Sequence, residues 1–562
     1  MDTRYGYTGG LAMGCIETKC ATKPFQKMVV EMAVPSSSMN NETETIFSIP
    51  SVITLSPAWV DTIESSLVDS LSGFLKGQFP EITSPRSFSF LCEPWVHFFT
   101  HGVLHRYELT AQTQRIYPHF HAPNAMPPGD TLAFLDLSRT AAYQKMIDAS
   151  LRGQSVEFSC RTDIETIKHP KAGRYAKLCA YKSALPKSTR YSIPWLSMGG
   201  IRFCQTAKER IQCAPNRDFR EALCAHLQRH LITPDPDLTS WISGACAAML
   251  PLALLEHLGR SWESQQGRPA RLALYSSNAW DVMDEWKIYA LAQKQYHQTR
   301  WIGSPHALNH GSLAVFWQRE FELRHLDHYL SWGWQPLQKT HAHVQAFHPP
   351  QFPFKQPRAC TSWDSSGGIL ISSAGRPKHL LEYPYEPARF ERYLQTQAAL
   401  AMALQKLTGQ SVSIRTRPKD LGWDLRQMIL ALDNPAVHLE FQVGPFERRL
   451  RQSALHISDN FSTTVVESLL HNHPTLVLIT DDYFQLHPQA QAAWEALAQA
   501  GIAHTQSETL LLQVSQIQND VMGWWTRHIT QQAIRTFLHQ QARDAGSALR
   551  WSQALLQLTE QS

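Results

Sequence analysis

The pattern of apolar and polar residues divides the chain into two unequal parts. In the first part, the apolar runs Arg271–Ser277 and Thr299–Gly303 predict strands, and the stretch from Ala279 to Gln293 between them predicts a helix. A strand–helix–strand unit favours a parallel sheet. We therefore predict an α/β domain over residues 46–336.

In the second part, strands and helices alternate regularly. Short apolar runs predict strands at Gly368–Ser372, Ser411–Arg415, Val437–Phe441, Ala454–Ile457 and Thr475–Ile479. Helical periods predict helices at Glu386–Leu407, Trp423–Leu432, Phe446–Arg451, Thr463–His471 and Gln489–Ala500. This alternation is typical of a doubly wound α/β domain, which we assign to residues 366–540.

Three further segments complete the predicted organisation. Residues 337–365 are rich in Pro and His, cannot form a continuous helix or a central strand, and predict a linker. Residues 1–45 show no sustained period and predict a tail. The end of the chain predicts one helix from Gln531 to Leu558, and we expect residues 541–562 to pack back on the first domain. Two domains joined by one linker predict a central cleft.

Composition excludes several classes of protein. The chain has 562 residues, and 52 Lys+Arg against 48 Asp+Glu give a net charge of +4, which is too small for a dedicated nucleic-acid binder. The 10 Cys include no C-x-x-C pair, and the N-terminus lacks the apolar core of a signal peptide. The apolar stretch Ile242–Leu258 contains Pro251 and Glu256, so it predicts a core helix. We expect a cytoplasmic protein whose charge permits peripheral contact with an anionic inner-membrane surface.

Ligands in open α/β sheets bind at the carboxyl ends of the strands, so residues there are candidates for chemistry. His310 follows the strand that ends near Gly303 and could act as a general base or contact a phosphate. Gly311 lets the backbone approach a ligand, and Glu322 could orient the imidazole. The alternatives are a structural histidine, since the chain has 26 His, and a solvated helix carboxylate.

A cationic cluster follows a predicted strand of the second domain. It contains Arg415, Arg417 and Lys419, beside a turn that Pro418 constrains. Guanidinium and ammonium groups in such a turn suit a phosphate or pyrophosphate. An ordinary surface turn is the alternative.

A strand-to-helix junction supplies the third candidate. Asp459 begins it, and the hydroxyl residues are Ser462, Thr463 and Thr464. Free N–H groups and the helix dipole bind an anion at such a junction, and Glu467 could accept a hydrogen bond from a ribose. The alternative is an ordinary N-cap with a capping-box carboxylate.

Histidines recur at spacings that suit metal ligands. The residues are His97, His101 and His105, the pair His119 and His121, and the pair His341 and His343. The sequence shows no carboxylate or Cys that completes a set, so we predict no metal site.

Ordered segments from about Trp241 to Ser552 resemble the transferases of bacterial surface-carbohydrate (lipopolysaccharide and O-antigen) biosynthesis. The segments are Leu272–Ser277, His310-Gly311, Asp327–Trp334, Arg415–Asp424, Ser462–Thr464 with Glu467, Asn472, Pro474-Thr475, Trp524-Trp525 and Phe537. The His310 loop and the 458–462 junction are also similar to those of CDP-glycerol glycerophosphotransferases, and bacterial Kdo transferases are another similar group. The resemblance implies a GT-B-like fold, in which two Rossmann-like doubly wound domains face a central cleft.

The resemblance also implies a function. A sugar would pass from a CMP-, CDP-, UDP- or GDP-linked donor in the second domain to a glycan or lipid-linked acceptor on the first. His310 would be the general base or an electrostatic stabiliser, supported by Gly311, Glu322 and Asp459. The implied donor-binding residues are Arg415, Arg417, Lys419, Ser462, Thr463, Thr464 and Glu467. No Asp-x-Asp stands at a plausible strand end, so we expect transfer without a metal or other cofactor.

Two rival functions stay open. One is a phosphotransferase that moves glycerol phosphate. The other is an inactive scaffold on the same fold, because residues 309–315 read Asn-His-Gly-Ser-Leu-Ala-Val where the family has Gln-His-Gly-Gly-x-Tyr-Gly.

Overall fold

The computed structural model describes most of the chain between residues 57 and 560. The described residues are 57–83, 87–111, 117, 119–122, 126–157, 160–168, 178–181, 201–203, 205–349, 366–379, 387–417, 421–441, 444–480, 484–542 and 548–560. They all belong to one compact unit, Ile53–Ser562. The predicted tail, Lys419 and the end of the predicted linker lie outside the described residues.

Helices dominate the first domain before its sheet. They are α1 (Pro57–Gln78), α2 (Ser87–Ala111), α3 (Thr131–Ser138), α4 (Ala141–Leu151), α5 (Arg217–His230), α6 (Pro236–Met249) and α7 (Leu258–Gln265), with a 3-10 turn at Leu252–Leu254. Strands β1 (Ile164–Lys168) and β4 (Gln205–Ile211) form a separate antiparallel pair. The prediction of one core helix over Ile242–Leu258 is wrong, because Pro251 forces Leu250 into an extended conformation and ends α6.

The first sheet has six parallel strands in the order β3-β2-β5-β6-β7-β8. The strands are β2 (Leu178–Ala180), β3 (Ile201–Phe203), β5 (Ala273–Ser276), β6 (Arg300–Gly303), β7 (His328–Ser331) and β8 (His343–Ala346). Helix α8 (Asp284–His297) joins β5 to β6, and α9 (Asn309–Ser312) and α10 (Trp317–His325) follow β6. The predicted strand–helix–strand unit and its parallel sheet are therefore confirmed.

Strand β8 corrects the predicted linker. It lies inside 337–365, pairs with β7, and forms the edge of the first sheet. Its residues alternate between exposed and half-buried, since an edge strand has one solvated face. The sequence did not predict this strand, because its alternating exposed and half-buried residues do not form the apolar run that is typical of a central strand.

The second sheet also has six parallel strands, in the order β11-β10-β9-β12-β13-β14. They are β9 (Ile369–Ser372), β10 (Val412–Thr416), β11 (Val437–Phe441), β12 (Leu455–Ser458), β13 (Thr475–Leu478) and β14 (Ala503–His504). The helices are α11 (Pro387–Thr408), α12 (Leu425–Leu430), α13 (Phe446–Leu450), α14 (Thr463–Leu470), α15 (Gln491–Gln499) after a 3-10 turn at Pro488–Ala490, α16 (Ser507–Ile517) and α17 (Val521–Trp525). This is the 3-2-1-4-5-6 order of a Rossmann fold, so the predicted doubly wound domain is confirmed.

The end of the chain forms two helices rather than the predicted single one. Helix α18 (His528–Gln541) stops where Ala542 leaves the helical conformation, and α19 is Ala548–Glu560. The ring of Phe537 packs at 5.0 Å on Trp494 of the second domain. Trp551 on α19 instead joins the apolar cluster of the first sheet, and its Nε1 donates to the carbonyl of His348 at 3.1 Å. The last two helices therefore connect both domains.

The turn α9 fixes the first domain to the second. His487 N donates to the Ser312 carbonyl at 2.7 Å, and Gln489 Nε2 donates to the Gly311 carbonyl at 3.1 Å. Ala314 N donates to the Gln485 carbonyl at 2.8 Å. The result is a GT-B-like α/β fold with two Rossmann-like parallel sheets.

Within the part of the chain that the structure describes, none of the helices has the length and apolar character needed to traverse a bilayer.

We expect Gly311→Ala to destabilise the protein by about 1–3 kcal/mol, because overpacking forces buried neighbours to move. A Cβ at this position would lie 2.3 Å from Cδ1 of the buried Trp334. The measurement is the free energy of unfolding in denaturant. Gly77→Ala is the control, because a Cβ there meets nothing within 4 Å. Equal stability of the two variants would show that the turn has room for a side chain.

Candidate active site

His306 of the first domain and Arg417 of the second lie close enough for their charges to interact. His306 follows β6 of the first sheet, and Arg417 follows β10 of the second. The positive charge of Arg417 acts on the imidazole of His306 and helps to lower its pKa. Residues from both domains therefore share one electrostatic environment at the place where α/β folds bind ligands.

His310 lies at the bottom of this region and is fully buried. Its Nδ1 is 2.9 Å from Tyr329 Oη, and its Nε2 is 3.2 Å from His306 Nδ1. The ring of Phe316 covers it at a centroid distance of 4.6 Å. Burial lowers the pKa of His310 well below its usual range, and the charges of His306 and Arg319 add to this effect. The imidazole is therefore neutral near pH 7 and too deep to touch an acceptor directly.

Glu322 and Tyr329 form the buried side of the same cluster. Glu322 Oε2 is 3.9 Å from His310 Nδ1, and both side chains are fully buried. Burial raises the pKa of Glu322 well above its usual range, and the charge of Asp281 adds to the rise. Glu322 is thus favoured in its neutral form, so it does not provide the negative charge that the sequence assigned to it as an orienting group.

His306 is the member of this cluster that reaches the protein surface. Its side chain is half-buried, whereas His310 is not accessible. Burial lowers its pKa, the charge of Asp281 raises it, and a hydrogen bond to the backbone of Ser277 also raises it. The net pKa is below 6.5, so the ring is a neutral base near pH 7.

In the second domain, Asp459 forms hydrogen bonds that connect the carboxyl ends of two strands. Its carboxylate accepts from Tyr393 Oη at 2.5 Å, from Asn460 Nδ2 at 3.1 Å and from Gln397 Nε2. Tyr393 Oη in turn accepts from the backbone N–H of Ala374 at 2.8 Å, directly after β9. Burial raises the pKa of Asp459 to about 6, against the effect of these donors. Asp459 therefore connects the end of β9 to the end of β12 through hydrogen bonds.

A group of hydroxyls lies at the start of α14, next to the residues that Asp459 connects. Thr464 Oγ1 is 3.0 Å from Ser372 Oγ and 3.4 Å from Ser458 Oγ, and it also contacts Ser462 Oγ. Ser462 is the N-cap residue by position, but among the described residues its side chain makes no capping hydrogen bond. The Ser462 side chain therefore does not form the ordinary N-cap that the sequence allowed, and its hydroxyl contacts Thr464 Oγ1 at the positive end of the helix dipole instead.

Arg415 and Glu467 lie close enough to interact electrostatically. Arg415 is buried in β10, where Nη2 donates to the Gly444 carbonyl at 3.1 Å. Burial lowers its pKa, and the charge of Glu440 on β11 opposes the shift, as does the more weakly acting charge of Glu467. Glu440 also binds Arg449 through both carboxylate oxygens, at 2.8–2.9 Å. The sequence analysis predicted that Arg415 and Glu467 contact the nucleotide-sugar donor. It did not indicate that Glu440 on the adjacent strand β11 lies near Arg415.

Arg417 is the accessible cation of the predicted cluster. The residue is exposed, yet partial burial of its guanidinium lowers its pKa, and the positive charge of Arg376, after β9, adds to this shift. Lys419 lies outside the described residues, so its position beside Arg417 stays a prediction.

The sequence analysis also missed His306 and Ser372. His306 lies four residues before His310, and that spacing could have indicated a pair. Ser372 gave no signal, because it only becomes relevant once β9 and β12 are adjacent.

A groove of about 800 Å³ lies on the other side of the His310 turn, between α10 and the 3-10 turn at Pro488–Ala490. Its charged lining is partly paired within the protein, since Arg324 binds Glu93 and Arg319 binds Glu320. It lies away from the strand ends that carry the candidate chemistry.

The prediction that no carboxylate accompanies the histidines of α2 is wrong. Glu64 of α1 lies beside His97 and His101, and the three ligand atoms are within 4.8 Å of one another. The sequence could not indicate this group, because packing of α1 against α2 brings it there. Within the described residues, no comparable group includes His119, His121 or His343.

The chain is similar to several solved structures. The co-structure of S. aureus MnaA with UDP matches with a TM-score of 0.37 and 10% identity over 68% of this chain and 96% of that chain. Spinosyn rhamnosyltransferase SpnG with its aglycone matches with a TM-score of 0.31 and 14% identity over 67% and 99%. TarM matches with a TM-score of 0.35 and 9% identity over 54% of this chain and 58% of that chain, which is less than two thirds of its length.

No curated protein matches the chain. The sequence model of the LIC12162 family transferase matches residues 159–556, which is more than half of the chain. This segment includes both parallel sheets and every residue of the candidate active site. The chain therefore belongs to the LIC12162 family of transferases.

Proposed function

We propose that this transferase is a glycosyltransferase that moves a sugar from a nucleotide-activated donor to an acceptor hydroxyl. The observation that carries the proposal is the interaction across the domains: His306, paired with the buried His310 of the first domain, lies near enough to Arg417 of the second for their charges to interact. The hydroxyls at the start of α14 follow a strand of the same sheet as Arg417. Transfer of a sugar from a nucleotide phosphate to a hydroxyl needs two groups. One is a base that takes the proton of the hydroxyl, and the other is a site that stabilises the charge of the leaving phosphate.

The second domain would hold the donor. The pyrophosphate or phosphate lies at the start of α14, where Ser462, Thr463 and Thr464 provide hydroxyl and backbone donors. Arg417 adds a guanidinium from the adjacent strand end, and Lys419 extends the same cluster. The carboxylate of Glu467 accepts hydrogen bonds from the ribose, and the buried guanidinium of Arg415 adds positive charge near it.

The first domain would activate the acceptor. With its ring proton on Nδ1, toward His310, His306 takes the proton of the acceptor hydroxyl on Nε2, and this contact replaces the one with the backbone of Ser277. The hydroxyl oxygen then forms a bond to the anomeric carbon, and the bond from that carbon to the phosphate oxygen breaks. The electron pair leaves with the nucleotide phosphate, where the helix start and Arg417 stabilise the new charge.

His310 would act through His306 rather than on the acceptor. Its Nε2 is 3.2 Å from His306 Nδ1, so it accepts a hydrogen bond from that nitrogen and fixes the ring orientation. Tyr329 holds the other nitrogen, and the neutral Glu322 keeps this buried cluster free of a fixed negative charge.

The finer assignments belong to the same proposal. The donor is a CMP-, CDP-, UDP- or GDP-sugar, and the acceptor is a surface polysaccharide or a lipid-linked glycan at the cytoplasmic face of the inner membrane. The leaving phosphate is neutralised by protein donors rather than by a metal. Product analysis separates this function from glycerol-phosphate transfer, because that reaction leaves a phosphodiester in the product.

We expect Thr464→Val to weaken donor binding by roughly tenfold to a hundredfold. The variant keeps the shape of the side chain but removes a hydroxyl beside a charged phosphate, and a hydrogen bond to a charged group contributes about 1.5–3 kcal/mol. The measurement is calorimetric titration with a panel of CMP-, CDP-, UDP- and GDP-sugars. A panel in which no compound binds the unmodified protein would support the inactive scaffold instead.

The matched control for this titration is Thr509→Val. Thr509 is an exposed residue in the first turn of α16, in the same domain but not at the carboxyl ends of β9, β10 and β12. Its substitution should leave the dissociation constant unchanged. Equal losses in the two variants would contradict the assignment of Thr464.

We expect His306→Ala to lower kcat/KM by roughly 10²–10⁴-fold, which is the usual contribution of a general base. His504→Ala is the control, since burial also lowers the pKa of His504, but it lies on the edge strand β14. The comparison uses transfer rates with the donor identified by titration. A His306→Ala enzyme as fast as the control would remove this residue from the mechanism.

We expect transfer to lose activity in acid with a midpoint below pH 6.5. His306 must be unprotonated to accept a proton, and its pKa is below 6.5, so the active form persists under mildly acidic conditions. The measurement is the pH profile of kcat/KM in the unmodified enzyme. A midpoint at or above pH 6.5 would indicate that a different group is the base.

A further inference from the structure

A carboxylate and two imidazoles converge between α1 and α2 of the first domain, outside the candidate active site. His97 and His101 lie one turn apart on α2, and Glu64 faces them from α1. Glu64 Oε1 is 3.3 Å from His97 Nδ1, and Glu64 Oε2 is 3.7 Å from His101 Nε2. The two imidazole rings are 4.3 Å apart between centroids.

The protein holds these side chains from several directions. The indole of Trp317 stacks on the His97 ring at 4.6 Å with an angle of 17° between the planes. The side chains of His97, His101 and Glu64 are 6%, 10% and 16% exposed, respectively. The group is therefore fixed in place, yet a small ion can reach it from solvent.

We propose that Glu64, His97 and His101 bind one zinc-type divalent transition-metal ion. Zinc bonds of about 2.0–2.1 Å in a tetrahedron separate neighbouring ligand atoms by about 3.3 Å. His97 Nδ1 is 3.3 Å from Glu64 Oε1 and His101 Nε2 is 3.7 Å from Glu64 Oε2, so each imidazole approaches a different carboxylate oxygen. One ligand atom from each of the three residues lies within 4.8 Å of the other two, so small side-chain movements bring them to the tetrahedral spacing. Two imidazoles and one carboxylate are a donor set that zinc binds and that magnesium and calcium, which prefer oxygen, do not. Water completes the fourth position.

The proposed ion has a structural role. It joins α1 to α2, and the stacked Trp317 begins α10 directly after the His310 turn. The preceding residue, Phe316, covers the ring of His310. The site thus supports the segment behind the candidate active site without contacting the substrates, and its binding properties do not depend on the proposed transfer.

The alternative to a metal ion at this site is a proton on one of the two histidines. Protonated His97 or His101 would form an ion pair with Glu64 and need no metal. The two cases differ in a direct binding measurement, because a protonated ion pair has no specific affinity for zinc.

The test is zinc titration of the full chain, purified without a histidine tag and treated with a chelator. We expect one zinc ion per chain by calorimetry and by elemental analysis after dialysis. His101→Ala and Glu64→Gln should each raise the dissociation constant at least tenfold, and Co²⁺ in the unmodified protein should give the visible absorption of a tetrahedral complex.

The matched control is His226→Ala/His230→Ala. These histidines are also one turn apart on a helix, with rings 4.4 Å apart, but no carboxylate in the described residues completes a metal-binding group with them. The control should bind zinc as the unmodified protein does. Circular dichroism and thermal unfolding of each metal-free variant establish that it is folded. The proposal is overturned if a folded His101→Ala protein keeps the zinc affinity, if only the control loses it, or if the unmodified protein binds no zinc.

Discussion

The close packing of the four-residue turn Asn309–Ser312 is the constraint on which the rest of this fold depends. Gly311 has no space for a Cβ, because Trp334 of the first domain and Gln541 of α18 occupy it. The carbonyls of Gly311 and Ser312 accept hydrogen bonds from the second domain. One short turn thus contacts the first sheet, the second domain and the C-terminal helices, so the two sets of strand ends are held at a defined separation.

This constraint also explains the properties of the two histidines. Because the turn is enclosed by both domains, His310 is completely buried and neutral, and it can affect a substrate only through its neighbour. His306, one turn earlier, lies at the boundary between the buried cluster and the region of Arg417. Packing therefore separates two functions: His310 and Tyr329 fix a ring orientation, and His306 presents that ring to solvent.

The sequence predicted five of the six strands of the second sheet, including the edge strand β11, but it missed several strands of the first sheet, among them the interior strands β2 and β7. Strands β9, β12 and β13 are buried along their whole length, so their apolar runs were visible. Strand β8 is polar on one face and β14 has two residues, so neither gave such a signal. For the site, local motifs identified the His310 turn and the start of α14. The group formed by Glu64 and His97 was not visible, because its members are 33 residues apart and meet only through helix packing.

The distribution of charge argues for a division of roles between the domains. Burial keeps His310 and Glu322 neutral, so the first domain offers polar but uncharged groups at the shared site. The second domain offers Arg417, an exposed residue, and the positive end of α14. Under the proposed function, an anionic donor would therefore be attracted to the second domain only, and the neutral base of the first domain would not compete for its phosphate. A net charge of +4 over the whole chain is compatible with this arrangement, because the cationic groups that matter need only be concentrated locally.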